Sequence, residues 1–579
     1  MLAEHNSPLS IIKTNVLKSL ECSFGADRNQ VETILKKSIF NTPDELINGH
    51  WSSNIAMVSA GVLKRSPHDV AKELIKAFAD SPSFERIEIA GPGFINFYLT
   101  ENSLLRQIEH HDEYLKEAIN DIESRTILIE FVSANPTGPL HVGHGRGAAF
   151  GDALKRLLSF VGHDVTTEYY VNDAGRQMDI VTASILLRAA EVSDIDFPHA
   201  GYQGEYIKTI ASSIIIESGA RNKIEESIKN LPEDKDEAID KICIELKKHA
   251  DIWQQTKSVG LEKILGLIKS DLSEFNVIFD EWFFESSLGS IDEDDSKLRQ
   301  ALDLSINEAG YEKDGAYWLR STNHGDDKDR VLIRKDGRVT YLASDVAYHK
   351  EKLDRGFDQL INIWGADHHG YIKRIEAAIE SVGHSKSSLM VLLVQFANLF
   401  EDGQKLKMST RSGTFYDLGK LVELVGADVA RFYYLSKQAD QHLDFDVSLA
   451  KSESKENLYF YIQYAHARIA SLEKKYEEAN GSLPSKTDSG NCPDALVAII
   501  QVLMNFPVNV LNSVERYQPH LLIYYLRDLS QAIHQFYNEI NVMKAASNDA
   551  SNYMFVLLKA KNIIKQTLNL LGIEAKNKM

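Results

Sequence analysis

Residues 127–158 constrain the fold of this chain more than any other segment. Ile127–Val132 is a short run of apolar, β-branched residues, which is typical of a buried parallel strand. Residues 133–140 contain two prolines and a glycine, so neither a strand nor a helix continues through them. From His141 onward, apolar residues return at helical spacing along one face. A second strand predicted over His163–Asn172 completes a βαβ unit, and the fold class is therefore α/β with a doubly wound sheet.

The predicted helix start carries groups suited to binding an anion. A helix N-terminus presents unpaired N–H groups and partial positive charge, which favour phosphate oxygens. Gly143, Gly145 and Gly147 let a ligand approach the backbone closely. His141 and His144 are three residues apart, so they share a helix face and could both donate hydrogen bonds to a triphosphate in its transition state. The alternative is a glycine-rich turn with solvated histidines, and so short a motif does not exclude it.

A second candidate loop, residues 400–413, follows a strand predicted over Met390–Phe396. It is polar and flanked by glycines, and it brings Lys405, Lys407 and Arg411 together. Three cations in one short loop suit the clamping of a pyrophosphate leaving group. An exposed basic hairpin is the alternative.

A third loop, Gly365–Tyr371, ends the strand predicted over Ile361–Trp364. Ligands of open α/β sheets bind beyond the carboxyl ends of strands, so this loop is predicted at the ligand site. Asp367, His368 and His369 could suggest a metal centre. Adjacent residues seldom converge on one ion, however, and we predict no protein-bound metal.

Bulk properties limit the class of protein. The 579 residues exceed one core and suggest three or four domains. The content of 44% hydrophobic and 25% charged residues is that of a soluble globular protein, and neither a signal peptide nor a membrane-spanning apolar run is evident. Three widely spaced cysteines favour reduced thiols, so we expect a cytoplasmic protein with no membrane partner. The net charge of −19 argues against indiscriminate nucleic-acid binding but does not exclude a selective RNA binder.

Periodicity divides the chain into three predicted domains. Residues 1–115 form a small α/β domain, and residues 116–430 form a Rossmann-like domain with a mainly helical insertion over about 178–323. In this second domain, Arg330–Arg334 and Arg338–Tyr341 flank Asp-Gly and predict a hairpin where the sheet resumes. Residues 431–579 read as helical throughout, and their amphipathic repeats predict an all-α bundle in which Tyr459, Tyr461 and Tyr464 are mostly core.

Several phrases resemble one family. Residues 134–144, Ala-Asn-Pro-Thr-Gly-Pro-Leu-His-Val-Gly-His, resemble the HIGH signature of class I aminoacyl-tRNA synthetases and, as a whole phrase, that of the arginyl enzymes. Lys407-Met-Ser-Thr-Arg411 resembles the second signature, KMSKS, with Thr410 in the place of the second lysine. Arg411 or Lys405 could replace that cation, and the sequence does not choose between them. Phrases in residues 51–57 and 89–98 resemble the arginyl N-terminal domain, and the C-terminal phrases resemble the anticodon-binding bundle.

The resemblance implies a two-step ligase. Arginine would be activated by ATP, accompanied by Mg²⁺, to arginyl-adenylate, and the arginyl group would pass to tRNA(Arg), which must be bound before activation is efficient. The catalytic residues implied are His141, His144 and Lys407. Those implied for ATP are Gly143, His144, Gly145, Gly365, Asp367, His369, Lys407, Met408, Ser409 and Arg411. Those implied for arginine are Glu130, Ser133, Asn135, His144, Tyr341, Asp345 and His368. We expect a monomer.

Residue chemistry agrees in part with this assignment. A guanidinium group needs fixed carboxylates, and we predict Glu130 and Asp345 at strand ends facing the cleft. For Asp345 the alternative is an ordinary carboxylate near a helix N-terminus. Three other functions stay open: a class I synthetase of another specificity, a nucleotidylyltransferase, and an inactive synthetase-like tRNA-binding protein.

Overall fold

The computed structural model describes residues 8–43, 46–78, 81–120, 122–193, 197–216, 218–229, 231–405 and 416–579. The chain divides into two compact units. The terminal unit comprises Met1–Ile122, Glu453–Asn569 and Glu574–Met579, and the central unit comprises Glu123–Ser452 and Leu570–Ile573. The mixed α/β fold class is confirmed, whereas the three domain boundaries stay a prediction.

The N-terminal part of the terminal unit is a small α/β layer. Its antiparallel sheet has the order β1-β2-β4-β3. Gly91 and Gly93, at φ 49° and 130°, form the turn between the last two strands, as the Gly-Pro-Gly phrase predicts. The elements are α1 (Pro8–Cys22), α2 (Arg28–Lys37), β1 (Phe40–Asn41), β2 (Trp51–Ser53), α3 (Ile55–Leu63), α4 (Pro67–Lys76), β3 (Phe84–Ala90), β4 (Phe94–Leu99), α5 (Glu101–Glu109) and α6 (His111–Asn120).

The central unit is built on a five-stranded parallel sheet with the order β12-β11-β5-β6-β7. Its strands are β5 (Thr126–Glu130), β6 (Asp164–Val171), β7 (Glu281–Phe284), β11 (Gln359–Gly365) and β12 (Leu389–Val394). From β5 the chain passes through α7 (Val142–Phe160) to β6 and β7 on one side, and β11 and β12 lie on the other side. The strand order therefore reverses between β5 and β11, which is where open α/β sheets form their binding crevice.

Within the described residues, five helices connect β6 to β7. The connecting helices are α8 (Gly175–Ala189), α9 (Glu205–Ala211), α10 (Ser218–Ser227), α11 (Lys235–Lys247) and α12 (Ala250–Glu274). They share an apolar core that includes Leu186, Ile242 and Trp253. A second core packs α13 (Lys297–Ala309), α14 (Tyr341–Asp354) and α15 (Ile372–Ser381) on the strands through Leu128, Leu302 and Leu360.

One expectation about the central unit is wrong, and a second is correct only in part. The sheet resumes at β7, inside the predicted insertion, and not at Arg330. The strands β8 (Gly310–Lys313), β9 (Ala316–Leu319) and β10 (Arg330–Ile333) form a separate antiparallel sheet. The predicted hairpin turn forms, with the Arg334 N–H donating to the Arg338 carbonyl at 2.9 Å and a bridge from Ile333 to Val339, but its second arm ends at Thr340 because Tyr341 begins α14.

The predicted all-helical region, residues 431–579, contains a strand. β13 (Ala397–Glu401) pairs antiparallel with β14 (Gln404–Lys405) and parallel with β15 (Leu443–Asp446), whose alternating apolar residues are buried. The helices α16 (Leu418–Val425), α17 (Ala427–Leu435) and α18 (Val447–Lys451) flank this sheet. The region is therefore not helical throughout, because β15 pairs with a strand more than forty residues earlier, a partner that local periodicity does not reveal.

The remainder of the terminal unit is the predicted helical bundle. It consists of α19 (Leu458–Asn480), α20 (Asp494–Met504), α21 (Phe506–Glu515), α22 (His520–Glu539) and α23 (Ser547–Leu570). Among the described residues, one stretch, Asp494–Glu515, has the length and hydropathy of a membrane span, and 56% of its most apolar window is buried. That stretch is α20 and α21, which pack on α22 within the bundle.

Candidate active site

A cavity of about 610 Å³ lies at the carboxyl ends of the central strands. Each of β5, β6, β11 and β12 contributes residues at or just beyond its last position. The cavity is lined by Glu130, Val132, Ser133, Ala134, Asn135, His141, Gly143, His144, Gly147, Tyr170, Asn172, Tyr341, Asp345, Ile363, Trp364, Gly365, Asp367, His368, Tyr371, Val394 and Phe396. Most of the residues predicted for ATP and arginine within the described chain are therefore brought together.

The two signature histidines form one stacked pair at the start of α7. His141 is the N-cap residue, and its Nδ1 accepts a hydrogen bond from the Gly143 N–H at 3.0 Å. The ring centroids of His141 and His144 are 3.7 Å apart. Burial lowers the pKa of His141, and burial together with His141 lowers the pKa of His144 to about 3. Both rings are therefore neutral at pH 7, and the proton of His141 lies on Nε2.

The glycines of this segment have different roles. Gly143 and Gly147 line the cavity, and a Cβ at Gly143 would lie 2.6 Å from the His141 ring. Gly145 does not line the cavity, although the sequence predicts it for ATP. A Cβ there would lie 2.8 Å from Tyr434 and 2.9 Å from Leu418, so Gly145 allows close helix packing.

Glu130 ends β5 and is almost fully buried. Its carboxylate accepts hydrogen bonds from Ser133 Oγ at 3.0 Å and from Lys352 Nζ at 2.5 Å. Burial opposes ionisation, but Lys352 outweighs it and holds the pKa of Glu130 below its usual value. Val132 and Ser133 follow at φ 66° and 40°, a left-handed conformation that is costly for residues other than glycine. This strained turn directs Ser133 back to Glu130.

Asp345 lies on the second turn of α14, not at a strand end. It lines the cavity, and its Oδ2 accepts a hydrogen bond from the Tyr371 hydroxyl at 2.5 Å. Burial, reinforced by Glu130 and Glu285, raises the pKa of Asp345 to about 7. Tyr341, at the first position of the same helix, is 75% exposed and also lines the cavity. At pH 7 the cavity therefore holds an ionised carboxylate at Glu130 and a carboxyl group at Asp345 that is about half ionised.

The loop after β11 contributes Gly365, Asp367 and His368 to the cavity. A Cβ at Gly365 would lie 2.5 Å from Asp367 Oδ1, so glycine is needed for the close turn. His369, which the sequence predicts for ATP, is exposed and does not line the cavity.

Lys407, Met408, Ser409 and Arg411 lie outside the described residues, as does Thr410. The two ends of their loop are described. Lys405, in β14, pairs with Phe400 of β13. At the other end, the Tyr416 carbonyl accepts a hydrogen bond from the Val142 N–H at 3.2 Å. A bridge joins Asp417 to His141. The residues that follow the second signature loop therefore lie beside the first signature.

Several lining residues were not predicted from the sequence. Tyr170 and Asn172 end β6, and Phe396 follows β12 with its side chain 47% exposed. The rule that ligands bind beyond the carboxyl ends of parallel strands could have found all three. Tyr371 ends the third loop predicted at the ligand site, but its contact with Asp345, 26 residues away, could be found only from the three-dimensional structure.

Three family models match the chain. The arginyl tRNA synthetase N terminal domain matches residues 10–99, the catalytic domain of tRNA synthetases class I (R) matches residues 105–476, and the DALR anticodon binding domain matches residues 462–579. An arginine–tRNA ligase of Acidithiobacillus ferrooxidans is 42% identical over 552 residues, which cover 93% of this chain and 94% of that protein. The chain belongs to the arginyl-tRNA synthetases.

Further comparisons agree on family and fold. An arginine–tRNA ligase of Bacillus velezensis is 40% identical over 568 residues, with 96% of each chain covered. The arginyl-tRNA synthetase structure from Thermus thermophilus superposes with a TM-score of 0.68 at 19% identity, covering 98% of this chain and 99% of that chain. This arginyl-tRNA synthetase is an arginine–tRNA ligase that uses ATP, and the other specificities considered above are not supported.

Proposed function

We propose that the cavity holds arginine between Glu130 and Asp345 while the stacked histidines and the second signature loop hold the triphosphate of ATP. The observation that carries this proposal is that both carboxylates line one cavity together with His141 and His144. Arginine has a cation at each end, an α-ammonium and a guanidinium, and a fixed carboxylate suits each of them.

The neighbours of each carboxylate indicate which end of arginine that carboxylate binds. Glu130 is held ionised by Lys352 and lies near Ser133 and Asn135, and this group binds the α-ammonium end. Asp345 and Tyr341 share one face of α14 and bind the guanidinium, with His368 beside it. A carboxylate binds a guanidinium through paired, charge-assisted hydrogen bonds, so Asp345 must ionise when arginine binds.

The phosphate roles follow from the start of α7. The arginine carboxylate attacks the α-phosphate of ATP, which forms the arginyl-adenylate and releases pyrophosphate. The neutral rings of His141 and His144 offer N–H donors to the phosphate oxygens, and Gly143 leaves room for close approach. Lys407, with Met408, Ser409 and Arg411, is proposed to bind the departing pyrophosphate. Gly365 and Asp367 border the nucleoside, and the exposed ring of Phe396 supplies an apolar face.

Mg²⁺ enters with ATP in this proposal. Of the three carboxylates that line the described cavity, Glu130 is paired with Lys352 and Asp345 with Tyr371, whereas Asp367 is exposed. One available carboxylate fits an ion held mainly by phosphate oxygens and water, because Mg²⁺ seldom uses an all-protein cage. When bound, the ion neutralises phosphate charge, and Asp367 is the side chain that would meet it.

The terminal unit is proposed to bind tRNA(Arg). On α19, the Phe460 and Tyr464 rings stack with centroids 6.2 Å apart, and Tyr464 also stacks on His534 of α22. Tyr464 is 43% exposed, and the Arg468 guanidinium lies 5.3 Å from its ring centroid. Exposed aromatic faces beside arginine stack unpaired bases, so this surface is proposed for the anticodon. The protein is proposed to act as a cytoplasmic monomer without a membrane partner.

Asparagine at position 345 tests the arginine site. Asp345→Asn should raise the KM for arginine about 100-fold in tRNA aminoacylation and leave the KM for ATP nearly unchanged, because it removes one charge-assisted pair. Asp354→Asn is the matched control, since Asp354 lies on the same helix but pairs with Lys350 away from the cavity. A KM within twofold of the wild-type value for Asp345→Asn would refute the assigned role.

A further inference from the structure

Lys352, on α14, is fully buried beneath the cavity floor. An ammonium group without partners at such a depth would be strongly unfavourable, so its surroundings must stabilise the charge. Its Nζ donates to Glu130 Oε2 at 2.5 Å and to Asn362 Oδ1 at 3.1 Å, and it lies 4.1 Å from the ring centroid of Tyr348. The lysine does not line the cavity, so it acts on a ligand only through these neighbours.

Glu130 is the neighbour that reaches the cavity. One carboxylate oxygen accepts from Lys352 and the other from Ser133 Oγ, which itself accepts from the Tyr170 N–H at 3.1 Å. Each oxygen of a carboxylate can accept two hydrogen bonds, so both keep one acceptor position for a ligand. The side chain is thereby fixed in orientation and kept charged before any ligand arrives.

The same network continues to the helix turn that carries Asp345. Because Asn362 Oδ1 accepts from Lys352, its Nδ2 faces His349 Nε2 at 2.9 Å and donates to it. The proton of His349 therefore lies on Nδ1, which donates to the Asp345 carbonyl at 2.8 Å. A continuous chain of hydrogen bonds thus joins the Glu130 carboxylate to the backbone carbonyl of Asp345.

We propose that Lys352 is a positioning residue that holds Glu130 as an oriented anion for the α-ammonium group of arginine. Through Asn362 and His349 it also fixes the turn of α14 from which Asp345 reaches the guanidinium. The inference rests on the proposed function of Glu130 and adds the residue on which that function depends. Without the lysine charge, Glu130 is a buried carboxyl group with no cationic partner, so burial raises its pKa and favours uptake of a proton.

Arg355, three residues further along the chain, offers a matched comparison. It forms a second ion pair, with Glu168 at 2.8 Å, and Glu168 also accepts a hydrogen bond from the Tyr348 hydroxyl at 2.7 Å. Glu168 is fully buried and does not line the cavity. Loss of Arg355 should therefore destabilise the central unit without changing the binding of arginine.

The test compares Lys352→Met, Lys352→Arg and Arg355→Met in the full-length enzyme. Steady-state aminoacylation of tRNA(Arg) is measured between pH 6 and pH 9 with arginine and ATP varied separately. We expect Lys352→Met to raise the KM for arginine about 30-fold at pH 7, with a smaller increase at pH 9 as Glu130 ionises. The KM for ATP should change less than about twofold. For Lys352→Arg, the ratio of its arginine KM to the wild-type arginine KM should not vary across the pH range.

Three outcomes decide the proposal. A wild-type arginine KM and pH profile for Lys352→Met would overturn it, as would an equal, pH-dependent rise for Arg355→Met, which would mark a structural effect. If Lys352→Met does not fold, Lys352→Gln keeps a hydrogen-bond donor without the charge and must show the same pH-dependent rise. If the unmodified enzyme charges tRNA with arginine but the Lys352 variants keep the wild-type arginine KM and pH profile, only this inference is refuted. If the unmodified enzyme charges no arginine, the proposed function is refuted.

Discussion

Asp345 is the residue whose ionisation matters most directly for arginine binding. Burial raises its pKa to about 7, so in the ligand-free protein it is largely protonated below that pH. A guanidinium requires the carboxylate, so arginine must displace the proton. We therefore predict that the arginine KM is nearly constant above pH 8 and rises about tenfold per pH unit below pH 7. Aminoacylation kinetics with varied arginine check this, and a constant KM between pH 6 and pH 8 would contradict it.

The same carboxylate should reduce the stability of the ligand-free protein. In the unfolded chain Asp345 has its ordinary pKa of about 3.8, whereas in the folded protein burial raises that pKa to about 7. Stability is therefore lost as the pH rises from 3.8 to 7 and stays lost above pH 7. Asp345→Asn should raise the unfolding temperature of the ligand-free protein, and by more at pH 8 than at pH 5. Scanning fluorimetry of this variant beside Asp354→Asn gives the comparison, and an equal gain at both pH values would be inconsistent with a raised pKa.

The signature helix α7 is the element that brings the histidines to the sheet. Arg146, one turn beyond His141, is buried and donates to the carbonyl oxygens of Gln395 at 2.9 Å, Gln438 at 2.8 Å and Gln441 at 2.6 Å. These bonds tie the start of α7 to the end of β12, next to Phe396. Arg146 is thus an anchor and not a phosphate ligand, although it lies within the signature.

Removal of this anchor should be costly. Arg146→Met removes three hydrogen bonds to partly buried carbonyl groups, so we expect a loss of roughly 3 kcal/mol in the stability of the central unit and a lower kcat. Arg156→Met on the same helix is the control, because its side chain is 33% exposed and Asp152 keeps Arg431 as a partner. Thermal unfolding and aminoacylation measure both variants. Equal stability of the two variants would show that the carbonyl contacts of Arg146 contribute little.

At this scale the sequence predicts local elements well. The strand, loop and helix of residues 127–158 follow from adjacent prolines, glycines and apolar spacing, and the structure has them as β5 and α7. Asp345 is misplaced in the sequence prediction because the extended arm of the hairpin ends at Thr340 and α14 begins at Tyr341, a boundary that alternation in residues 338–341 does not reveal. β15 was missed because its partner β13 is distant in sequence. The link from Lys352 to Glu130 spans 222 residues and has no local signal at all.

At the scale of the whole molecule, the N-terminal layer and the helical bundle form one compact unit. His111 is buried at their junction, where its Nε2 donates to the Leu503 carbonyl at 2.9 Å and its ring stacks on Phe506. Glu109 accepts from the Thr487 N–H and hydroxyl at 2.5 and 2.8 Å. The sequence predicts two domains here. It does not reveal the contacts between them, because contacts between segments far apart in the chain leave no periodic pattern.

A shared unit should lose stability on both sides of the junction together. His111→Ala in the full chain should cost about 2 kcal/mol and reduce amide-exchange protection in β4 and in α20 alike. His110→Ala is the adjacent control, because its side chain is 36% exposed and pairs with Glu113, three residues further along the chain. Protection lost only in the N-terminal layer would mean that the two parts open independently.

The measurement that tests the assignment most directly is ATP–pyrophosphate exchange with arginine, with and without an arginine tRNA transcript. Exchange that depends on arginine and appears when tRNA is present is the predicted result. It would also establish that Thr410 is tolerated in the second signature. No exchange under either condition, or exchange supported only by a different amino acid, would contradict the assignment of this cavity to arginine activation.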